Sequence, residues 1–199
     1  MKTILFDIGN VLINFDQQQF YETITSSCHA SIHEIRMSIE SERLILLETG
    51  ILSPDDFMDY FKKQFGLNWN ADDWVQVYAQ AFQVNEAGEN LRQTLIQNGC
   101  SVSLLSNISV FSKKAVESFH IQTLQGNAHN FYSYELGFHK PDKNIYLAAC
   151  RALNVAPAEC IFLDDLETNV NGAKDAELEA YQFNPQNITD IKKILLSYI

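Results

Sequence analysis

Four short polar clusters carry the residue types that could do chemistry. Asp7 ends the apolar run Thr3-Ile4-Leu5-Phe6, Ser106-Asn107 ends Val102-Ser103-Leu104-Leu105, and Asp164-Asp165 ends Cys160-Ile161-Phe162-Leu163. The fourth, Gly137-Phe138-His139-Lys140-Pro141-Asp142, sets a lysine just ahead of a helix start. Brought together, these are three acids, a hydroxyl, an amide and an ammonium, a set suited to phosphoryl transfer. Clustered carboxylates repel one another unless a cation lies among them. Mg²⁺ takes one or two carboxylates together with substrate phosphate and water. The equatorial oxygens of a phosphate need donors, which Ser106, the backbone N–H groups near it and Lys140 can supply. A carboxylate can act as nucleophile through an aspartyl-phosphate, with much of the catalysis coming from positioning and charge stabilisation.

Residues this far apart meet only if their elements share an edge. Residues 3–6 and 160–163 are apolar runs too short for helices and stop at acids, so they read as buried strands, as does 102–105. Residues 131–134 and 180–183 complete the strands, while 91–97, 111–119, 142–153, 170–176 and 188–196 read as helices. Strand and helix in alternation imply an α/β fold with a doubly wound parallel sheet, in which ligands bind beyond the carboxyl ends of the strands. Between Asp16 and Asn85 the pattern changes. Phe20, Ile24, then Ile32, Ile35, Met37, Ile39, Leu44, Leu47, and later Phe57, Tyr60, Phe61 and Phe65 recur at roughly helical spacing, and Ser53-Pro54-Asp55-Asp56 and Asn70-Ala71-Asp72-Asp73 are helix starts. The division is therefore a core of residues 1–15 and 86–199 with an all-helical insert, 16–85, after the first strand. Phe15, Trp69 and Trp74 read as core of that insert rather than binding-site walls, and His139 as a surface or rim residue.

The 199 residues include 14 Lys+Arg against 25 Asp+Glu, a net charge of −11, with 46% apolar and 20% charged residues. These are globular proportions and argue against a disordered chain. The acidity argues against a nucleic-acid partner but leaves room for small phosphorylated ligands. No run approaches the roughly 20 apolar residues of a membrane span, and the first apolar run meets Asp7 too early to be a signal-peptide core. Cys28, Cys100, Cys150 and Cys160 form no C-x-x-C pair; Cys150 and Cys160 read as small core residues, and a cytoplasmic location suits all four. Nothing in these patterns sets an oligomeric state.

Taken in order, the clusters resemble the four motifs of the haloacid dehalogenase-like hydrolase superfamily. Phe6-Asp7-Ile8-Gly9-Asn10-Val11-Leu12 is similar to the first, Leu104-Leu105-Ser106-Asn107 to the second, Gly137-Phe138-His139-Lys140-Pro141 to the third, and Phe162-Leu163-Asp164-Asp165 to the fourth. The likeness spans the whole chain, with the insert matching a small helical cap on a Rossmann-like core. The Asp-x-Gly-Asn-Val form of the first motif is most similar to a branch containing sugar-1-phosphate phosphatases. The resemblance implies a Mg²⁺-dependent phosphatase acting on a small phosphorylated metabolite. In it Asp7 would be nucleophile and metal ligand, the Gly9 carbonyl a second ligand and Asp165 a third, with Asp164 bonded to metal-bound water. Ser106, with Asn107 beside it, would hold the transferring phosphoryl group, and Lys140 would neutralise charge on Asp7 and the phosphate.

Two positions depart from the family pattern. Most of its phosphatases carry an aspartate two residues after the nucleophile, as general acid for the leaving alcohol, and such an acid is worth ~10²–10⁴ in rate. Here that position is Gly9. Asp16, in the short loop after Ile13, is either a substitute donor at the substrate or a plain helix cap. Glu177 stands where the family has glycine at a helix end, which implies local strain. Two other functions stay open: a metal-independent 2-haloacid dehalogenase, which tolerates Gly9, and a degenerate member that binds a phosphorylated ligand or a protein without turnover. The paired Asp164-Asp165 weighs against the dehalogenase, because without a metal their charge would stay unneutralised.

Overall fold

The computed structural model describes residues 2–184 and 186–198. In chain order the elements are β1 (Thr3–Phe6), β2 (Ile13–Phe15), α1 (Gln17–Thr25), α2 (Ile32–Ile39), α3 (Glu42–Glu48), α4 (Pro54–Phe65), α5 (Ala71–Gln80), β3 (Phe82–Val84), α6 (Glu86–Gln97), β4 (Ser101–Ser106) and α7 (Val110–His120). They continue with β5 (Asn130–Tyr132), α8 (Ser133–Leu136), α9 (Lys143–Leu153), β6 (Cys160–Asp164), α10 (Glu167–Asp175), β7 (Glu179–Gln182) and α11 (Ile188–Leu196). Five strands form one parallel sheet in the order β5-β4-β1-β6-β7. The fold is thus α/β and Rossmann-like, with the apolar β1 at its centre.

Alternation along β1 fills both faces of the sheet. Ile4 and Phe6 join Leu104, Leu163 and Leu95 on one side, while Leu5 joins Leu105, Phe162 and Ile145 on the other. Register then sets the site. Phe6 pairs with Leu104 on β4 and with Leu163 on β6, so Asp7, Ser106 and Asp164 emerge at one edge. The Asp7 N–H still donates to the Leu163 carbonyl over 2.9 Å, which ties the acid to the sheet.

Between Asp16 and Asn85 the chain is not helical throughout. Phe82, Gln83 and Val84 form β3, antiparallel to β2, with Ile13 opposite Val84 and Phe15 opposite Phe82. The ribbon closes the two ends of the helical segment on each other, and the Asn85 N–H donates to the Leu12 carbonyl. The sequence pattern does not show this ribbon, because each strand lacks its partner until residues about seventy apart meet. The helices α1 to α5 bury an aromatic cluster that includes Phe20, Phe57, Phe61 and Trp74, and Phe111 and Ala115 of α7 belong to the same cluster. Trp74 and Phe111 stack with ring centroids 6.2 Å apart.

Further along, the strand expected over 131–134 stops at Tyr132. The Ser133 hydroxyl accepts from the Ile108 N–H over 2.9 Å and is within 3.2 Å of the Ile108 carbonyl, which turns the chain out of the sheet into α8. Glu177 has φ +66°, in the left-handed region that disfavours a side chain. Among the described residues, no helix is long and apolar enough to cross a membrane.

Candidate active site

Asp7 is buried at the end of β1, where the three carboxylates of Asp7, Asp164 and Asp165 offer oxygens within 4.8 Å of one another. Lys140 is buried between two of them, its Nζ 2.8 Å from Asp7 Oδ1 and 2.7 Å from Asp164 Oδ2. The Asp7 contact is one of charge, since Oδ1 receives no well-directed hydrogen bond. Burial pushes the Asp7 carboxyl up to about 7; Lys140 opposes that rise, the Asp164 charge adds to it, and hydrogen bonding from Ser106 lowers it again. For Lys140 the balance is opposite: burial pulls the ammonium down, but Asp7 and Asp164 outweigh it and hold its pKa above the ordinary value. Burial likewise raises Asp165, against a hydrogen bond from Asn10 Nδ2 at 3.0 Å.

The two adjacent acids are used differently. Asp164 Oδ1 accepts from the Leu166 N–H and Asn169 Nδ2, and Oδ2 accepts from Lys140 Nζ and Asn169 Nδ2. A carboxylate has about four lone-pair sites, so Asp164 is saturated by protein donors and braces Lys140. Asp165 is half-buried and spends one oxygen on Asn10. The Gly9 carbonyl accepts no hydrogen bond from the described residues, although the Ile8 and Asn10 carbonyls on either side do.

Asn107 braces the lysine loop. Its Oδ1 accepts from the Lys140 N–H over 2.8 Å, and its Nδ2 donates to the Lys140 carbonyl over 3.0 Å, as a neighbouring strand would. On the far side, α10 comes so close that a Cβ on Gly172 would stand 2.3 Å from the Pro141 carbonyl oxygen. Lys140 is therefore positioned by groups from β4, β6 and α10 at once.

A cavity of about 350 Å³ opens above the cluster, lined at its base by Asp7, Gly9, Ser106 and Asn107 and above by residues of 13–48 and 78–82. That volume suits a small molecule. Asp16 is the one residue expected here that the structure does not bring in. Its side chain is exposed, accepts from the Gln19 N–H over 2.9 Å as the N-cap of α1, and does not line the cavity. The cap wins because a carboxylate at that position satisfies a helix N–H that otherwise has no partner. Phe15 packs on the aromatic cluster, as its sequence reading has it, and also lines the cavity, whereas Trp74 is buried in the cluster. His139 is a linker rather than a free rim residue, its Nε2 2.9 Å from Glu48 Oε2 and its Nδ1 2.7 Å from the Lys140 carbonyl. Tyr21, Glu40 and Glu48 also line the cavity. No sequence signal marks them, because each sits among similar residues and only helix packing turns it inward.

Comparison with known proteins agrees with this architecture. The profile of the haloacid dehalogenase-like hydrolases matches residues 1–177. A D-ribitol-5-phosphate phosphatase from Bacteroides thetaiotaomicron is 25% identical, over 98% of this chain and 97% of that protein. Flavin mononucleotide hydrolase 1 of Arabidopsis thaliana is 21% identical, over 87% of this chain and 68% of that protein. A crystal structure of a haloacid dehalogenase family enzyme from Bacteroides thetaiotaomicron, an aspartate-to-alanine variant in complex with magnesium and inorganic phosphate, superposes with a TM-score of 0.80. It is 23% identical and covers 92% of this chain and 94% of that one.

Proposed function

Because this chain belongs to the haloacid dehalogenase-like hydrolases, we propose that it is a Mg²⁺-dependent phosphomonoesterase for a small phosphorylated metabolite, with Asp7 as nucleophile. The observation that carries this is the charge balance of the cluster. Three carboxylates against one ammonium leave two negative charges, which one Mg²⁺ balances. Asp7, Asp165 and the open Gly9 carbonyl are the oxygen donors that would hold the ion, a hard set of the kind Mg²⁺ takes. When bound, the ion would draw charge from the phosphoryl oxygens.

The chain's own residues do the rest. An Asp7 carboxylate oxygen attacks phosphorus, the bond to the leaving alcohol breaks, and an aspartyl-phosphate forms. Water then attacks that phosphorus and returns Asp7 as a carboxylate. Ser106 and the Lys140 ammonium, held by Asp164 and Asn107, stabilise the charge that builds on the phosphoryl oxygens. Asp164 serves by fixing Lys140, not by reaching the ion. The helical segment 16–85 acts as the cap over the cavity, and its walls choose the alcohol. The names of the relatives support a polyol or nucleotide phosphate as the substrate class. Four unpaired cysteines suit a reducing cytoplasm.

A dehalogenase would leave the two surplus negative charges unbalanced, which disfavours that reading. The test is turnover of p-nitrophenyl phosphate with Mg²⁺, with EDTA, and by Asp7→Asn. Loss in EDTA, recovery with Mg²⁺ and loss in Asp7→Asn support the reading. Full turnover in EDTA, or chloride release from 2-chloropropionate, overturns it.

A further inference from the structure

The cavity wall contributed by the cap carries two carboxylates that phosphoryl transfer does not use. Glu40 follows α2 and Glu48 ends α3, and both line the cavity. Each is held from behind. The Tyr21 hydroxyl donates to Glu40 Oε1 over 2.9 Å and Arg36 Nε donates to the same oxygen over 3.0 Å, while His139 Nε2 lies 2.9 Å from Glu48 Oε2. Glu40 and Glu48 line the cavity and their partners Arg36 and His139 do not, so the acid is the member of each pair nearer the cavity; the Glu48 side chain is largely buried and that of Glu40 is exposed. Glu40 Oε2 and Glu48 Oε1 meet no hydrogen-bond donor among the described residues. The ammonium at the cavity base, Lys140, is already shared by Asp7 and Asp164, and the wall between is largely aromatic, with Phe15, Phe20 and Phe82.

We propose that Glu40 and Glu48 are specificity determinants for the alcohol part of the substrate. Their free oxygens accept from hydroxyl groups, and their charge turns away phosphate esters whose alcohol bears a second anion, a carboxylate or another phosphate. The proposal rests on the phosphomonoesterase reading above. An acceptor-only carboxylate rewards a hydroxyl and meets a substrate carboxylate as a like charge; at the largely buried Glu48 that repulsion exceeds its value in water, while at the exposed Glu40 it is weaker and partly offset by Arg36. Among the described residues no lysine, arginine or histidine lines the cavity to receive the second anion, and the Lys140 ammonium beneath its base is already shared by Asp7 and Asp164.

The experiment compares kcat/KM for two matched pairs with Mg²⁺ present: D-glucitol 6-phosphate against D-gluconate 6-phosphate, and glycerol 3-phosphate against 3-phosphoglycerate. Within each pair a terminal CH₂OH is replaced by a carboxylate. The expected result is a preference of about tenfold or more for the polyol in at least one pair. Glu40→Gln with Glu48→Gln should bring that ratio toward one by raising kcat/KM for the acid, because the amide keeps the shape and removes the charge. Added salt should shrink the wild-type ratio. Equal turnover of both members by the wild type, or a ratio unmoved by both the double substitution and salt, overturns the inference. Asp7-dependent turnover of p-nitrophenyl phosphate in the same preparation separates the two failures: its absence overturns the phosphatase reading, and its presence without charge discrimination overturns only this one.

Discussion

A Cβ placed on Gly9 would stand 3.9 Å from Asp7 Oδ2 and, beyond its own residue and the two adjoining it, meet no other atom of the described residues within 4 Å. Position 9 thus faces the Asp7 carboxylate, has room for a side chain, and carries none. The proton that a carboxyl there would deliver to the leaving oxygen must be found elsewhere or left out. Without it, rates should depend steeply on leaving-group acidity, so that p-nitrophenyl phosphate outruns an alkyl phosphate and a sugar 1-phosphate outruns a sugar 6-phosphate. Gly9→Asp should flatten that dependence, raising kcat on alkyl substrates by about tenfold or more. A linear free-energy plot over substituted phenyl and alkyl phosphates measures it; an unchanged slope in the variant would show that the new carboxyl does not reach.

Asp16→Asn should leave that slope and kcat unaltered. The residue caps α1 from an exposed position, and asparagine caps nearly as well as aspartate. Asp16→Ala should cost about 1 kcal/mol of stability through the lost cap, read as a small drop in melting temperature. A selective loss on alkyl phosphates in Asp16→Asn would return the residue to proton transfer.

Lys140→Met removes the ammonium shared by Asp7 and Asp164 and leaves both acids buried. Breaking such a pair costs about 3–5 kcal/mol, so the variant should melt well below the wild type and lose turnover. Mg²⁺ should raise its melting temperature by more than it raises that of the wild type, since the ion replaces part of the missing charge. Equal Mg²⁺ shifts in the two proteins would argue against a common electrostatic site.

Metal binding should depend on pH through Asp7. Without the ion its carboxyl is pushed up to about 7 by burial, against Lys140. Below that value it holds a proton that Mg²⁺ must displace. The apparent affinity should therefore rise as pH goes from 6 to 8 and level off above. Calorimetric titration at three pH values gives the trend, and Asp7→Asn should flatten it.

Gly172→Ala should impair the site from a distance. The added methyl would stand 2.3 Å from the Pro141 carbonyl oxygen, backbone that cannot swing aside, so the loop carrying Lys140 must move. A 1 Å misplacement of a catalytic group costs on the order of 10²-fold. A drop in kcat larger than the drop in KM, with the fold retained by circular dichroism, is the expected signature.

The strands and the meeting of the polar residues at their ends were legible in the sequence, and the cavity wall formed by the helical segment was not. Asp7, Ser106 and Asp164 each close an apolar run, and a parallel sheet sends such run ends to one edge whatever the loops do. Burial of β1, β4 and β6 on both faces made those runs nearly continuous and easy to read. Gly9 was visible too, as a missing acid. Tertiary structure decided the remaining questions. Asp16 could have served the substrate or the helix, and the geometry of α1 gave it to the helix. Asp164 and Asp165 are equivalent in sequence, yet four hydrogen bonds from three donors saturate one and a single amide touches the other. Glu40 and Glu48 reach the cavity only through the way α2 and α3 pack, and β2 pairs with β3 only after the helices between them have packed. These outcomes depend on contacts between distant residues, whereas the strand ends depend on a local pattern of apolar and polar side chains, and only the local pattern is written in the order of the chain.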